Sequence, residues 1–340
     1  MSCHFLTKVL YIFTYQKYKC KNYFLFIISN SVISHKSESH NVIPARTRKS
    51  DSFNFGLTSF FQNAIIFLSN QKEGIAMKLG FIGTGNMASA IMGGIIKNQI
   101  IPANEIIGAD VMEAGRKRVK EQFGIQVTAD NHEVVRNSDV VILSVKPQFY
   151  AEVIAEIKDD VREDQIIITI APGKTLAWLK EQFGKNVKIV RTMPNTPALV
   201  GEGMTAACPN EYMTKEEIAY VLTLLESFGR VEIIPERLMD TVVSVSGSSP
   251  AYVFMFIEAM ADAAVSGGMP RAQAYQFAAQ AVLGSAKMVL ETGKHPGELK
   301  DMVCSPAGTT IEAVRVLEEK GFRSSVIEAM KTCEEISKNM

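Results

Sequence analysis

The sequence predicts a doubly wound α/β domain followed by an all-helical domain, and three observations lead there. A short apolar run, Met77 to Ile82, breaks into the turn Gly83-Thr84-Gly85 and resumes at helical spacing through Ile91, Ile95 and Ile96. Short β-rich runs then alternate with helical patterns as far as Arg191, the pattern of a parallel sheet. From about Asp240 only helical patterns remain.

The first strand, turn and helix fit the dinucleotide-binding (Rossmann) fingerprint. Gly83 permits the tight turn out of the strand, and Gly85 lets backbone come close to a pyrophosphate facing the free N–H groups of the helix start. Ala88 holds the third position, where small size is enough for helix and strand to pack. The plain alternative is an ordinary glycine-rich turn. Asp110, closing the next apolar run from Glu105, favours the dinucleotide reading. Its carboxylate would accept hydrogen bonds from an adenosine ribose and repel a 2′-phosphate, which favours NADH over NADPH. Arg116, Lys117 and Arg118 follow closely; one could reach that phosphate, or the three form a solvated helix face.

The alternation continues with a charged helix from Glu113 to Phe123 and a strand from Ile125 to Thr128. The run Asp139 to Val145 suits a strand buried on both faces, and further strands are expected near Gln165 to Ile170 and Val187 to Arg191. Ligands of such sheets bind outside the carboxyl ends of the strands, so residues just past each strand are the candidates. Pro147 cannot continue a ladder, which places Ser144, Val145 and Lys146 at one such mouth; the plain alternative for Lys146 is a surface lysine at a turn. Asn131 opens a helix after Asp130, with an N-cap as its ordinary role. Ala171-Pro172-Gly173 makes another tight exit, and Asn195 sits between Pro194 and Pro197 in a rigid loop.

In the helical half, Thr241 to Val265 is largely apolar and interrupted by Ser246-Gly247-Ser248-Ser249-Pro250. Pro270 opens a second helix rich in Ala and Gln up to Glu291. These helices are apolar on too many sides for an isolated domain, which predicts packing against a second subunit. The run Cys304-Ser305-Pro306-Ala307-Gly308-Thr309-Thr310-Ile311 begins another helix. Pro and Gly shape its turn, a hydroxyl is expected to cap it, and the first-turn N–H groups are left free. Beside a nicotinamide, those donors would hold a substrate carboxylate without an arginine.

At 340 residues and 47% hydrophobic, the chain can fill two cores. Zero net charge gives nucleic acid no electrostatic footing. That balance conceals a split, because residues 1 to 76 hold nine Lys/Arg against three Asp/Glu, while the rest holds 27 against 33. The same segment holds 13 of the 28 aromatic residues but two of the 23 glycines. Its apolar run Tyr23 to Ile28 is too short to span a bilayer, which gives no membrane partner, and a convincing signal-cleavage site is lacking. A transit peptide would be richer in Arg and Ser. Lys72-Glu73-Gly74 can be encoded by a purine-rich ribosome-binding sequence just before Met77. The expectation is therefore that residues 1 to 76 form a non-native or unstructured extension and that translation starts at Met77. The Rossmann domain would then occupy 77 to 239, with a helical dimerisation and substrate domain at 240 to 340. Five scattered cysteines without a CxxC pair fit a reducing, cytoplasmic compartment. His132 and His295, alone beyond the front segment, make a metal site improbable by spacing.

Several separated motifs from Met77 to the C-terminus resemble the pyrroline-5-carboxylate reductase family: Phe81 to Met87, Val145-Lys146-Pro147, Met193 to Pro197, Ser246 to Tyr252, His295-Pro296-Gly297 and Ser305 to Thr310. The resemblance implies reduction of 1-pyrroline-5-carboxylate to L-proline with NADH or NADPH, the last step of proline synthesis. It also implies a helical domain that dimerises by interleaving, with dimers assembling into decamers. By the same resemblance Ile82, Gly83, Thr84, Gly85, Asn86 and Met87 bind pyrophosphate. Asn131, Ser144, Val145, Lys146 and Pro147 contact the cofactor, and Ala171, Pro172 and Gly173 approach the nicotinamide. Ser305, Gly308, Thr309 and Thr310 match the substrate loop. Two positions depart from the family pattern: Ser249 stands for a glycine, and Ala307 stands where Pro-Gly-Gly is common.

A cyclic imine that binds protonated is already electrophilic, so positioning supplies most of the rate and no strong acid is needed. Thr310, through its hydroxyl, is the expected catalytic group at the ring nitrogen. A hydroxyacid dehydrogenase would share the first domain, yet it needs a lysine in the long helix, and Ala251 to Ala264 contains none. A non-enzymatic nucleotide sensor would bind NAD(P)H without oxidising it. Because every candidate residue lies after Met77, a chain beginning there is expected to retain full turnover. Assay of that shortened protein checks this, and a folded but inactive product would defeat it.

Overall fold

The computed structural model describes residues 77–339; the expectations for residues 1 to 76 lie outside the described residues. Strand alternation builds two cores, one on each side of a single sheet. In β1 (Leu79–Ile82), Leu79 and Phe81 enter one core and Ile82 the other. In β4 (Val140–Leu143) and β5 (Ile166–Thr169), Val140, Ile142, Ile166 and Ile168 join the first core, and Val141, Leu143 and Ile167 the second. Burial on both faces explains why these strands read as continuous apolar runs.

β2 (Ile106–Ala109), β3 (Gln126–Thr128), β6 (Lys188–Met193), β7 (Gly203–Pro209) and β8 (Gly229–Ile233) complete the order β3-β2-β1-β4-β5-β6-β7-β8. Pairing is parallel from β3 to β6, then antiparallel between β6 and β7. The sequence reading stops at β6. β7 is made of Gly, Met, Thr, Ala, Cys and a final Pro, a weak strand signal, and pairing with β6, as of Met193 with Ala206, overrides it. β8 lies at the sheet edge with Glu232 and Ile233 exposed, so no buried alternation marks it.

Helices α1 (Asn86–Lys97), α2 (Glu113–Phe123) and α6 (Lys215–Glu226) close the first core through Ala88, Ile91, Ile95, Val119, Val221 and Leu224. Helices α3 (Asn131–Arg136), α4 (Tyr150–Ile157) and α5 (Leu176–Phe183) close the second through Val134, Ile154, Ile157, Leu179 and Phe183. The cap of α3 is Asp130, whose Oδ1 accepts from the His132 N–H at 2.9 Å, and Asn131 is the first helical residue instead.

The helical half starts with α7 (Met239–Val242) and a π-turn at Val243–Gly247. It continues through α8 (Ser249–Ser266), α9 (Arg271–Thr292), α10 (Pro296–Val303), α11 (Thr309–Glu319) and α12 (Phe322–Lys338). The turn is the physical form of the interruption at Ser246 to Pro250. Buried Asn195 ties it to the sheet, donating to Ser246 O at 3.0 Å and accepting from Met204 N at 2.9 Å. Arg191, 4% exposed at the end of the sheet, donates to Glu236 Oε1 at 2.8 Å, and the same oxygen accepts from Leu176 N at 2.7 Å. Beyond this joint the helices present apolar side chains outward, with Phe254 61% and Phe277 67% exposed. The stretch Glu236–Ser266 is long and apolar enough to cross a membrane by length and composition.

Folding brings His132, isolated by sequence spacing, against three carboxylates. Its Nδ1 pairs with Asp160, whose other oxygen takes Arg136 Nε at 2.9 Å, and Asp130 and Glu156 lie close enough to offer further oxygens. The hydrogen bond to Asp160 raises the imidazole's proton affinity, helped by the surrounding negative charge, and the pair braces α3 to the α4 end. Asp160 is held below the usual carboxylate range by its hydrogen bonds from His132 and Arg136. A raised histidine pKa contributes stability that is complete below the unfolded value of 6.5 and is lost as pH rises through the folded value. Wild type should therefore melt above His132→Gln at pH 6, with the gap narrowing as pH rises through the folded value. Paired melting curves across that range check this, and a gap independent of pH would refute it.

Candidate active site

Strand register decides what meets at the sheet's carboxyl edge. Ile82 pairs with Ala109 on one side and Leu143 on the other, and Leu143 pairs with Thr169. Gly83, Asp110, Ser144 and the Ile170 to Gly173 segment therefore all leave from one row. β1 and β4 are also where the strand order reverses, the place where open α/β sheets bind ligands.

Gly83 adopts φ +94°, and a Cβ there would lie 2.8 Å from the Ser144 carbonyl carbon and oxygen. The Ser144 hydroxyl bonds the Gly83 carbonyl at 2.7 Å, so the ends of β1 and β4 are locked together. Gly85 precedes α1 with no side-chain cap, and a Cβ on it would meet nothing within 4 Å. Gly85 and Asn86 are exposed and Met87 half-buried, which leaves the first-turn N–H groups open to an anion. This cradle fits the pyrophosphate of a dinucleotide.

Asp110 is half-buried and turned into the turn: Oδ2 accepts from Thr84 N and Oγ1, each at 2.8 Å, and Oδ1 accepts from Met112 N at 2.9 Å. Arg116 bonds the Asp110 carbonyl at 2.6 Å, and Arg118 bonds the Thr84 carbonyl. The basic residues of α2 thus lie across the turn, two of them engaged with it, while Lys117 pairs with Glu121 on the solvated face. Sequence reasoning missed this bracing; an arginine one helical turn past the acidic strand end is the signal that could have found it.

Lys146 is exposed, Val145 and Pro147 are half-buried, and a short 3-10 turn follows at Pro147–Phe149. Asn131 points its amide at Glu156 Oε2, 2.9 Å away. Ala171 is buried, Pro172 and Gly173 are half-buried, and Gly173 has φ +74°. Tyr150 was not singled out from the sequence, yet its buried hydroxyl donates to Leu143 O and accepts from Ile170 N at 3.3 Å, clamping two strand ends. Burial pushes this phenol far above its ordinary value, so it remains a donor at any working pH.

The Ser305–Gly308 turn closes through Gly308 N to Ser305 O at 3.0 Å. Gly308 is the N-cap of α11, without a side-chain cap, so no hydroxyl caps the helix as the sequence suggested. The reason is steric: a Cβ on Gly308 would collide with Ser305 Oγ and stand 3.0 Å from Ser305 O, so backbone fills the capping position. Thr309 is exposed and Thr310 half-buried in the first turn. Among the described residues, no hydrogen bond joins Ser305 to Thr310 with the strand-end loops. The chain thus has two helix starts without a side-chain cap, at α1 and at α11, and among the described residues no hydrogen bond links them.

Residues 78–173 match the family model "NADP oxidoreductase coenzyme F420-dependent", and residues 236–340 match "Pyrroline-5-carboxylate reductase dimerisation". Pyrroline-5-carboxylate reductase of Escherichia coli (strain K12) is 55% identical over 267 residues, 77% of this chain and 98% of that protein. This chain belongs to the pyrroline-5-carboxylate reductase family. A reductase of the family from Arabidopsis thaliana is 42% identical, covering 75% of this chain and 92% of its own. The structure of a pyrroline-5-carboxylate reductase from Coxiella burnetii superimposes with a TM-score of 0.73 at 35% identity, covering 78% of this chain and 98% of that one. That of Plasmodium falciparum pyrroline carboxylate reductase with NADP bound gives 0.72 at 32% identity, covering 78% and 99%.

If Gly83 holds the reductase turn, Gly83→Ala adds left-handed strain of roughly 1–2 kcal/mol and a clash that only backbone movement relieves. Titration calorimetry with NADP+ and NAD+ should show affinity reduced by about tenfold for both. Unchanged affinities would free the turn from the cofactor.

Proposed function

We propose that this chain reduces 1-pyrroline-5-carboxylate to L-proline with hydride from NADH or NADPH, with the pyrophosphate on the α1 start and the substrate carboxylate on the α11 start. The supporting observation is the uncapped N-terminus of α11 behind the Ser305–Gly308 turn, whose free N–H groups suit a carboxylate without a neighbouring cation. Ile82 to Met87 line the pyrophosphate cradle, and Asp110, Asn131, Ser144 to Pro147 and Ala171 to Gly173 line the rest of the dinucleotide groove. Bound there, the nicotinamide supplies the hydride.

The chain's own contribution is placement. Ser305, Gly308 and Thr309 hold the carboxylate, and Thr310 offers its hydroxyl to the ring nitrogen, which orients the C=N carbon for attack and holds the nitrogen's proton. No group in this set must change charge, in keeping with a substrate that arrives as an iminium.

The outward apolar side chains of α8 and α9 belong to the residues that match the dimerisation model. An interleaved homodimer accounts for those faces, since a second copy covers them, and in this reading it also brings the substrate loop of one chain to the groove of the other. Decamers of such dimers are the larger assembly in this reading, in the cytoplasm, where Cys208, Cys304 and Cys333 remain free thiols.

Thr310→Val tests the chemistry. Because Thr310 makes no capping bond, the change should leave stability within about 0.5 kcal/mol. With cofactor saturating, kcat should fall on the order of tenfold, about 1.4 kcal/mol of transition-state stabilisation. Ser305→Ala and Thr309→Val should mainly raise KM. A folded Thr310→Val enzyme with normal kcat would remove Thr310 from the reaction.

A further inference from the structure

The turn ahead of α11 has an unusual third residue. Ser305-Pro306-Ala307-Gly308 is closed by Gly308 N to Ser305 O at 3.0 Å, has proline at its second position, and places Ala307 at φ +55°. Proline followed by a positive φ is the pattern of a type II turn, whose third position calls for glycine because a Cβ there crowds the backbone. Ala307 and Gln99 are the non-glycine residues with positive φ among those described, and Ala307 belongs to the substrate loop. Its side chain is exposed within the chain, so no packing contact inside the chain accounts for the conformation.

The backbone at Ala307 determines where Gly308 and the first N–H groups of α11 point. A rotation of Ala307 to the ordinary negative φ would redirect the next peptide plane and open the turn, and Gly308 could not then keep its close approach to Ser305. The left-handed state is thus the one that assembles the anion cradle, and alanine favours it less than glycine would.

We propose that Ala307 is a positioning residue for substrate binding: its tolerance of left-handed backbone sets how often the loop presents its N–H groups, and therefore how tightly the carboxylate is held. Apparent affinity falls with the fraction of chains in the competent state, while the chemical step, which starts from the bound state, is unaffected. The proposal rests on the reading that residues 305 to 310 hold the carboxylate.

The test is a series at one position in the full-length enzyme: Ala307→Gly, Ala307→Asn and Ala307→Val, ordered by how readily each residue adopts positive φ. KM for pyrroline-5-carboxylate and the Kd of L-proline by calorimetry should both follow Gly below Asn, Asn below Ala, and Ala below Val. Ala307→Gly should tighten binding by about twofold and Ala307→Val weaken it by about tenfold, with kcat within about twofold throughout. If Ala307→Val does not fold, the Gly, Asn and wild-type ordering still decides the matter. Melting temperatures that follow the series while KM and Kd stay constant would overturn the proposal by making Ala307 structural only. Ser305→Ala and Thr309→Val run alongside. If they weaken L-proline binding and the 307 series does not, the positioning role fails and the carboxylate reading stands; if none of the variants moves it, both fail.

Discussion

Parallel register is the constraint on which the site depends. Ile82, Ala109, Leu143 and Thr169 stand in one row because β1, β2, β4 and β5 pair without a slip, and the segments carrying Gly83, Asp110, Ser144 and Ala171 to Gly173 begin from that row. A shift of one residue in any of these strands would turn its side chains over, exchanging the two cores and withdrawing a loop from the groove. The bonds that cross the row serve the same end: Ser144 to Gly83, Tyr150 to Leu143 and Ile170, and Asp110 to Thr84. Most of them join side chain to backbone, which fixes loop positions while leaving the open N–H groups of α1 to a ligand.

What could be read from the sequence was what depends on local pattern. The glycine turn, the apolar strands with their exits and the change to helices near residue 240 all have short-range signatures. What escaped depends on partners distant in the chain. β7 has a weak intrinsic signal and exists because β6 pairs with it. α3 is capped by Asp130, which is extended, rather than by Asn131, which is already helical, and α11 lacks a side-chain cap because Gly308 lies against Ser305. Tyr150 reads as one more aromatic in an amphipathic helix until the fold lays its hydroxyl between two strand ends. Asp110 was legible as an acid at the right place, but not the direction in which its carboxylate turns.

Both candidate binding points rely on helix geometry rather than on ionised side chains. α1 and α11 each begin behind a glycine with no side-chain cap, so each presents aligned peptide dipoles and unsatisfied N–H groups to an incoming anion. Such sites keep their charge character at every pH at which the protein is folded. They also need a precise backbone, which is why glycine and proline crowd around them.

The outward face of the helical half bears on how the molecule is made. A newly completed chain can close both cores of its sheet alone, since those contacts lie within one polypeptide. Phe254, Met255 and Phe277 have no comparable shelter among the described residues, and in a dimer a second chain covers them. Maturation therefore divides into an early stage indifferent to concentration and a late, second-order stage whose half-time lengthens on dilution. During that interval the exposed helices are the surface most open to off-pathway association.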